Sequence, residues 1–245
     1  MQLHPADSLR SLFASLVFPQ ICIVCGKETS TAAPLCASCL ERRFLPIARR
    51  VSFLREDDSR CRKCGRPLVS TGGLCTECRT VASLQSIDRI IPLYPYTPWG
   101  QELLSVWKLS GMRGFSRVYA GLLAVALGGT GPGCTVVPVP PRPGKIREKG
   151  WDQVEDLVRI LEREHGIGVT RCLWRTARIQ QKRLGRAGRV MNLRGHVSAR
   201  PGFPVPETGI LIDDLMTTGA TLDSCAEALK SAGCRTVWGL TLFYD

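Results

Sequence analysis

No stretch of about 18 apolar residues occurs in the 245-residue chain, so no membrane-spanning helix is expected. Histidine is scarce: His4, His165 and His196 stand alone, at no spacing that suits a metal-ligand pair. No Ser-His-Asp or Cys-His arrangement accompanies them, which argues against nucleophilic catalysis by a triad. The first residues also read as a poor export signal. Leu9, Leu12, Phe13, Leu16 and Val17 have helical spacing, but Asp7 and Arg10 interrupt them and no small-residue cleavage site follows. The stretch reads as a short helix packed on the adjacent domain, and the protein as cytoplasmic.

Acidic residues are few. Against 33 Lys and Arg there are 21 Asp and Glu, a formal net charge of +12. The imbalance is local: residues 141–200 carry 15 Lys/Arg against 6 Asp/Glu, whereas residues 201–245 carry 2 against 6. A polyanionic ligand could bridge the basic region and the acidic one; a pyrophosphate ester and nucleic acid both have the required charge. The alternative is that these cations form solvated faces.

Twelve cysteines are present, and without an export signal they do not read as a disulfide framework. Cys22-x2-Cys25 is followed after ten residues by Cys36-x2-Cys39, and Cys61-x2-Cys64 after ten by Cys75-x2-Cys78. The second set repeats the first at an offset of 39 residues, with Gly26 matching Gly65, Lys27 matching Arg66 and Leu35 matching Leu74. Each Cys-x2-Cys forms a tight knuckle that offers two thiolates, and two knuckles complete a closed tetrahedral site. Two structural Zn2+ ions are therefore expected. The self-similarity of each quartet favours sequential pairing, with a cross-braced pairing as the alternative. Two four-thiolate zinc sites would bring the formal charge from +12 to about +8. Cys134, Cys172, Cys225 and Cys234 are scattered singly in apolar contexts and read as small buried side chains.

The other informative stretch runs from Ile210 to Leu222. Three apolar residues read as a buried strand, Asp213 and Asp214 fall where it would emerge from a sheet, and Met216-Thr217-Thr218-Gly219-Ala220-Thr221 forms a small-residue loop. A helix follows through Leu222, Cys225, Ala226 and Leu229. Ligands of open parallel sheets bind beyond the carboxyl ends of the strands, and backbone N–H groups at a helix start attract phosphate. A carboxylate pair beside a phosphate cradle suits a sugar phosphate. The alternative is an acidic strand end before a capped helix. The string resembles the phosphoribosyl-pyrophosphate (PRPP) signature of type I phosphoribosyltransferases.

Between these landmarks the spacing predicts strands over 89–96, 135–139, 210–214 and 235–244 and helices over 101–109, 116–127 and 151–164. Residues 128–133 read as a linker. The first of the two inner strands ends in a basic loop with Arg142, Lys145, Arg147 and Lys149, placed to meet a pyrophosphate unless merely solvated. Residues 175–195 read as a mobile lid or a basic loop. Alternating strands and helices indicate an α/β domain with a mainly parallel sheet over 81–245, preceded by a metal-binding domain over 1–80.

From about residue 15 to 244 the chain resembles the ComF (GntX-like) family of competence-associated proteins, which join a double zinc ribbon to a Rossmann-like type I phosphoribosyltransferase domain. Besides the cysteines and the signature, three blocks carry the resemblance. They are Tyr94-Pro95-Tyr96 with Leu103, Leu104 and Lys108; Val137-Pro138-Val139-Pro140 with residues 147–153; and Gln181, Leu184, Arg189 and Asn192. Departures are Lys149 for Arg, Trp151 for Phe, Asp152 for Asn and Leu109 for Tyr, of which Asp152 adds a negative charge near the expected pyrophosphate site.

The resemblance implies PRPP or a related ribose phosphate as ligand, with Mg2+ bridging pyrophosphate and ribose hydroxyls. Asp213 and Asp214 would orient those hydroxyls, residues 216–221 would hold the 5′-phosphate, and Lys108, Arg142, Lys145 and Arg147 would approach the pyrophosphate. Relatives that salvage 6-oxopurines commonly place an aspartate in this loop, and Thr217 argues against that specificity. Three readings follow: a phosphoribosyltransferase with an unassigned acceptor, a PRPP- or nucleotide-responsive module for single-stranded DNA or competence-machinery proteins, and a scaffold with a vestigial site. Retention of both aspartates and of Thr-Thr-Gly weighs against the third.

Overall fold

The computed structural model describes residues 20–29, 35–50, 57, 59–69, 73–80, 84–109, 113–128, 130, 133–175 and 196–245. The helix expected through Leu9, Leu12, Phe13, Leu16 and Val17 and the block with Gln181, Leu184, Arg189 and Asn192 lie outside the described residues.

The N-terminal region is built around its cysteines. Strands β1 (Gln20–Ile21) and β2 (Glu28–Thr29) pair antiparallel across the first knuckle. Cys36 then starts α1 (Ala37–Cys39), which runs through a π-helical turn (Leu40–Phe44) into α2 (Leu45–Arg50). The second quartet ends in α3 (Thr76–Thr80).

The rest is an α/β unit. Strands β3 (Arg89–Pro95), β4 (Cys134–Pro138), β7 (Thr208–Met216) and β8 (Thr236–Tyr244) form one parallel sheet in the order β3-β8-β7-β4. Both faces are covered, which is why these strands are apolar runs rather than alternating ones. One face packs on α4 (Pro98–Leu109), α5 (Gly114–Leu127) and α7 (Gln153–His165), around Trp107, Tyr119, Leu123 and Leu157. The other packs on α8 (Ala220–Ser231) and on the small antiparallel pair β5 (Leu173–Arg175) and β6 (Val197–Ala199). The two cysteine quartets divide between these faces. Cys22 and Cys39 join the first cluster with Phe44 and Tyr94, whereas Cys61 and Cys64 join the second with Ile90 and Leu222. Among the described residues no helix is long and apolar enough to cross a membrane.

Every predicted strand and helix of the α/β unit is present, with ends moved by local chemistry. Helix α4 starts at Pro98, a residue suited to the first helical turn because it has no N–H to satisfy. Helix α7 starts two residues later than predicted because Asp152 caps it, its carboxylate accepting the Glu155 N–H at 2.9 Å. The basic loop after β4 is instead partly helical: α6 (Lys145–Lys149) sits between Gly144 and Gly150, both left-handed at φ +84° and +75°. Cys134, expected to be buried, is half-exposed.

The repeated glycines after the second cysteine of each first knuckle have different surroundings. Gly26 and Gly65 both have φ near +70°, but a Cβ on Gly26 meets nothing within 4 Å, whereas one on Gly65 would lie 2.4 Å from the Ile90 carbonyl oxygen and 2.5 Å from Pro92 Cδ. Gly26→Ala should cost only the left-handed backbone penalty of about 1 kcal/mol. Gly65→Ala should add about 1–3 kcal/mol of overpacking. Chemical denaturation of the two variants checks the difference, and equal costs would mean that the second ribbon is not seated on β3.

Candidate functional site

Asp213 and Asp214 do not end their strand; β7 continues to Met216, paired with β8 as far as Tyr244. The opening is on the other side. Strand β4 stops at Pro138, opposite Ile212, so from Asp213 onward the edge of β7 that faced β4 has no strand beside it. The acidic pair thus emerges sideways, past a shorter neighbour.

Asp214 is buried, and its Oδ1 takes the ammonium of Lys108 at 2.8 Å. Lys108 comes from the last turn of α4, where the helix dipole favours a cation. The half-buried Asp213 accepts the Asp214 N–H at 2.8 Å. Burial, then the neighbouring Asp214 charge, push the Asp213 carboxyl up to about 7, while Lys108 and Lys145 pull in the opposite direction. Beyond the pair, Asp213 and residues 215–222 line a small pocket. Gly219 turns the chain at φ +75° into α8 and, as its N-cap, offers no side chain to the helix. The Thr218 hydroxyl accepts the Ala220 N–H at 3.3 Å, and the rest of the first turn is left with N–H groups directed at the loop.

The basic residues are engaged internally. Lys145 donates to Asp152 at 2.6 Å, and Arg142 forms a two-pronged pair with Glu148 on the exposed surface. Arg147 is exposed on α6. The structure therefore brings together Asp213, Asp214, Lys108 and residues 216–221, with Lys145 close enough to act electrostatically on Asp213. Neither Arg142 nor Arg147 makes a hydrogen bond or ion pair to that group. A roomier recess of about 370 Å³ opens at the opposite ends of the strands, lined by Leu127, Cys134, His165 and Ile167 among others. It gathers no opposed charges, so the smaller pocket is the candidate site. Cys225 lies beneath that pocket, buried and with its thiol pushed up by burial and by Asp213, which leaves it unreactive.

Sequence reasoning passed over Arg66. One Nη of its guanidinium donates to the Thr217 carbonyl oxygen and the other to Glu77. The repeat marked Arg66 as a counterpart of Lys27, but nothing local indicates a contact across 151 positions. Asp223 was another omission: its Oδ1 accepts the N–H groups of Ser86 and Ile87 at 2.8 and 3.0 Å, tying α8 to the segment that leaves the second quartet.

The cysteines group sequentially, Cys22, Cys25, Cys36 and Cys39 in one cluster and Cys61, Cys64, Cys75 and Cys78 in the other, with the four Sγ atoms of each cluster within 4.8 Å of one another. Cys25 Sγ to Cys36 Sγ is 3.7 Å and Cys64 Sγ to Cys75 Sγ is 3.6 Å. A zinc tetrahedron with bonds of about 2.3 Å has edges of about 3.8 Å, so both quartets fit the ion. Backbone N–H groups reach the sulfurs too, Cys39 to Cys36 at 3.4 Å and Cys75 to Cys61 at 3.3 Å. At Cys22 burial opposes ionisation, yet backbone N–H groups outweigh it and bring the thiol to about 6, while burial and its fellow thiols push Cys39 to about 12. A cation among the sulfurs would let all four thiols of a quartet ionise together, which their mutual repulsion otherwise opposes.

Residues 13–79 match the double zinc ribbon domain. The match spans both quartets, and the closed four-sulfur geometry of the ribbons is that of structural zinc. Over 225 residues, 88% of this chain and 96% of the relative, the sequence is also 24% identical to "Competence protein ComFC" of Streptococcus pneumoniae (strain ATCC BAA-255 / R6). That similarity extends from the double zinc ribbon through the α/β unit, whose parallel sheet is consistent with a phosphoribosyltransferase-like fold.

Proposed function

We propose that the chain binds PRPP, or a closely related ribose phosphate, at the β7–α8 loop and acts in the competence-associated role of its ComFC relative. One observation carries the reading: a buried carboxylate pair, half-exposed only at Asp213, and the start of a helix whose Gly219 N-cap offers no side chain are joined by a single strand–loop–helix that lines one pocket. Asp213 and Asp214 then orient the ribose hydroxyls, and Lys108 holds Asp214 in place. The N–H groups at the start of α8, with the Thr217, Thr218 and Thr221 hydroxyls, take the 5′-phosphate. Mg2+, when bound, would neutralise the pyrophosphate beside the two carboxylates. In transfer, the bond from the anomeric carbon to pyrophosphate breaks with its electron pair on the leaving group, and an acceptor bonds to that carbon. The acidic pair faces the positive charge that develops on the sugar, so positioning and charge stabilisation supply the catalysis.

Calorimetry with PRPP and Mg2+, followed by pyrophosphate detection against a panel of bases and amines, tests both levels. Absence of binding overturns the ligand. Binding without pyrophosphate release overturns the enzyme and leaves a responsive module. That second reading has its own support, because Arg142 and Lys145, which a leaving pyrophosphate would need, are paired with Glu148 and Asp152. Its partner would be single-stranded DNA, with Arg42, Arg43, Arg49 and Arg50 exposed along the helix of the first ribbon. Steeply salt-dependent binding to single strands is expected, and a flat salt dependence would exclude a phosphate-led contact.

The pH dependence has a definite sign. With its pKa raised to about 7, Asp213 keeps a proton in the folded protein that the unfolded chain releases near its ordinary 3.8. Its contribution to stability is therefore lost as pH rises from about 4 to 7. A ligand that needs the carboxylate must expel that proton, so affinity for Mg2+ and PRPP should climb up to about pH 7 and then level off. Calorimetry in buffers of different ionisation enthalpy should show proton release, and Asp213→Asn should remove it. A flat affinity from pH 5.5 to 8 would contradict the assignment.

A further inference from the structure

We propose that Arg66 is a positioning residue for the phosphate loop, so that the second zinc ribbon, and not the first, sets how tightly the loop takes a phosphate ester. The ester as ligand rests on the reading above; the mechanical coupling does not.

The second ribbon is anchored to β3 at several points. The Ile90 N–H donates to the Lys63 carbonyl oxygen at 2.8 Å, and Lys63 Nζ reaches the Ile87 carbonyl. Arg60 donates to the carbonyl oxygens of Gly65 at 2.9 Å and Pro92 at 3.1 Å. Gly65 itself has no room for a Cβ against β3. The knuckle is closed by Gly65 N–H to Cys61 O at 2.9 Å and Cys61 N–H to Arg66 O at 2.8 Å, which fixes the Arg66 backbone relative to the sulfurs.

From that base the guanidinium forks. Glu77, between Cys75 and Cys78, holds one arm, and the Thr217 carbonyl takes the other. The side chain is only 23% exposed, so the fork is partly shielded from water. The loop also rests on the same support at Gly219, where a Cβ would come within 2.8 Å of Leu84 and 3.3 Å of Ile90. Asp223 ties the first turn of α8 to Ser86 and Ile87. The loop at Thr217 and Gly219, and the first turn of the helix that follows it, thus lean on the second ribbon or the segment leaving it.

The first ribbon closes its knuckle in the same way, with Gly26 N–H to Cys22 O and Cys22 N–H to Lys27 O both at 2.8 Å. Tyr94 on β3 donates to its Phe44 carbonyl oxygen at 2.9 Å, but among its described residues none is bonded to the phosphate loop. Lys27, in the position of Arg66, is exposed, Gly26 faces open space, and Cys22 and Cys39 pack on the opposite face of the sheet. Losing the fork frees the Thr217 carbonyl and the peptide that follows it, so the N–H groups ahead of α8 are no longer held in one arrangement before ligand arrives. Lysine at position 66 keeps the charge but not the two-armed geometry.

The test uses the full zinc-loaded chain with Arg66→Ala, Arg66→Lys and Lys27→Ala. Ribose 5-phosphate and Mg2+-pyrophosphate are titrated separately, and amide hydrogen exchange is followed over residues 217–222. Arg66→Ala should retain both zinc ions, weaken ribose 5-phosphate about tenfold, leave pyrophosphate unchanged and accelerate exchange in the loop. Arg66→Lys should recover part of the loss, and Lys27→Ala should match the unaltered protein. Unchanged exchange in Arg66→Ala overturns the proposal, as does equal weakening of both ligands together with loss of zinc. If the unaltered protein takes neither ribose 5-phosphate nor PRPP, the ligand reading fails; the exchange data then decide the role of Arg66 alone.

Discussion

Replacing Asp213 and Asp214 together by asparagine should weaken binding of PRPP and Mg2+ by at least about 100-fold, the scale of removing one side of a desolvated charged contact. The substitution is nearly isosteric, so the loop and α8 keep their shape. Its effect on folding should be small and of mixed sign. Asp213 already resists ionisation because of burial and its neighbour's charge, so asparagine there relieves repulsion. Asp214→Asn acts oppositely, because Lys108, 26% exposed, loses its 2.8 Å partner. That loss should cost about 1–3 kcal/mol. Calorimetry gives the affinity and denaturant unfolding the stability. Retained affinity in the double variant would remove the acidic pair from the site, whatever the loop binds.

Metal analysis should find about two Zn per chain, and stripping them should have the largest effect on folding. Structural zinc contributes about 10–16 kcal/mol of apparent binding energy per site, comparable to the whole stability of an ordinary domain. The sites should not be equivalent. Cys25 is exposed, so Cys25→Ser should disorder the first ribbon locally. Cys64 is buried in the cluster that holds Ile90, Leu211 and Leu222, so Cys64→Ser should also lower the unfolding midpoint of the α/β unit. Zinc release, thermal unfolding and hydrogen exchange on the two variants check this. An unchanged midpoint of the α/β unit in Cys64→Ser would mean that the second ribbon is a separate appendage.

Much of the architecture was legible because it is written in short-range spacing. The apolar runs over 90–96 and 210–212 fit strands buried on both faces, and Leu157, Val158 and Leu161 fit one face of a helix. Cys-x2-Cys fixes a knuckle within four residues. Element ends were less legible, because caps and neighbours decide them. Asp152, read as a stray negative charge, turned out to cap α7 and hold Lys145. The basic segment after β4, expected as an open cluster of cations, is a short helix whose charges are partly consumed by Glu148 and Asp152.

What the sequence determined alone is the inventory: two four-thiolate quartets, an acidic pair ahead of a small-residue loop, and the alternation of strands and helices. Backbone periodicity and tetrahedral metal geometry act over a few residues, so these features survive without any knowledge of packing. Only the tertiary structure decided who meets whom. Lys108 reaches Asp214 across 106 positions and Arg66 reaches Thr217 across 151. It also sent the two near-identical zinc knuckles to opposite faces of one sheet. Such pairings depend on how whole elements stack, and a repeat that looks uniform along the chain becomes unequal once one copy is seated against the phosphate loop.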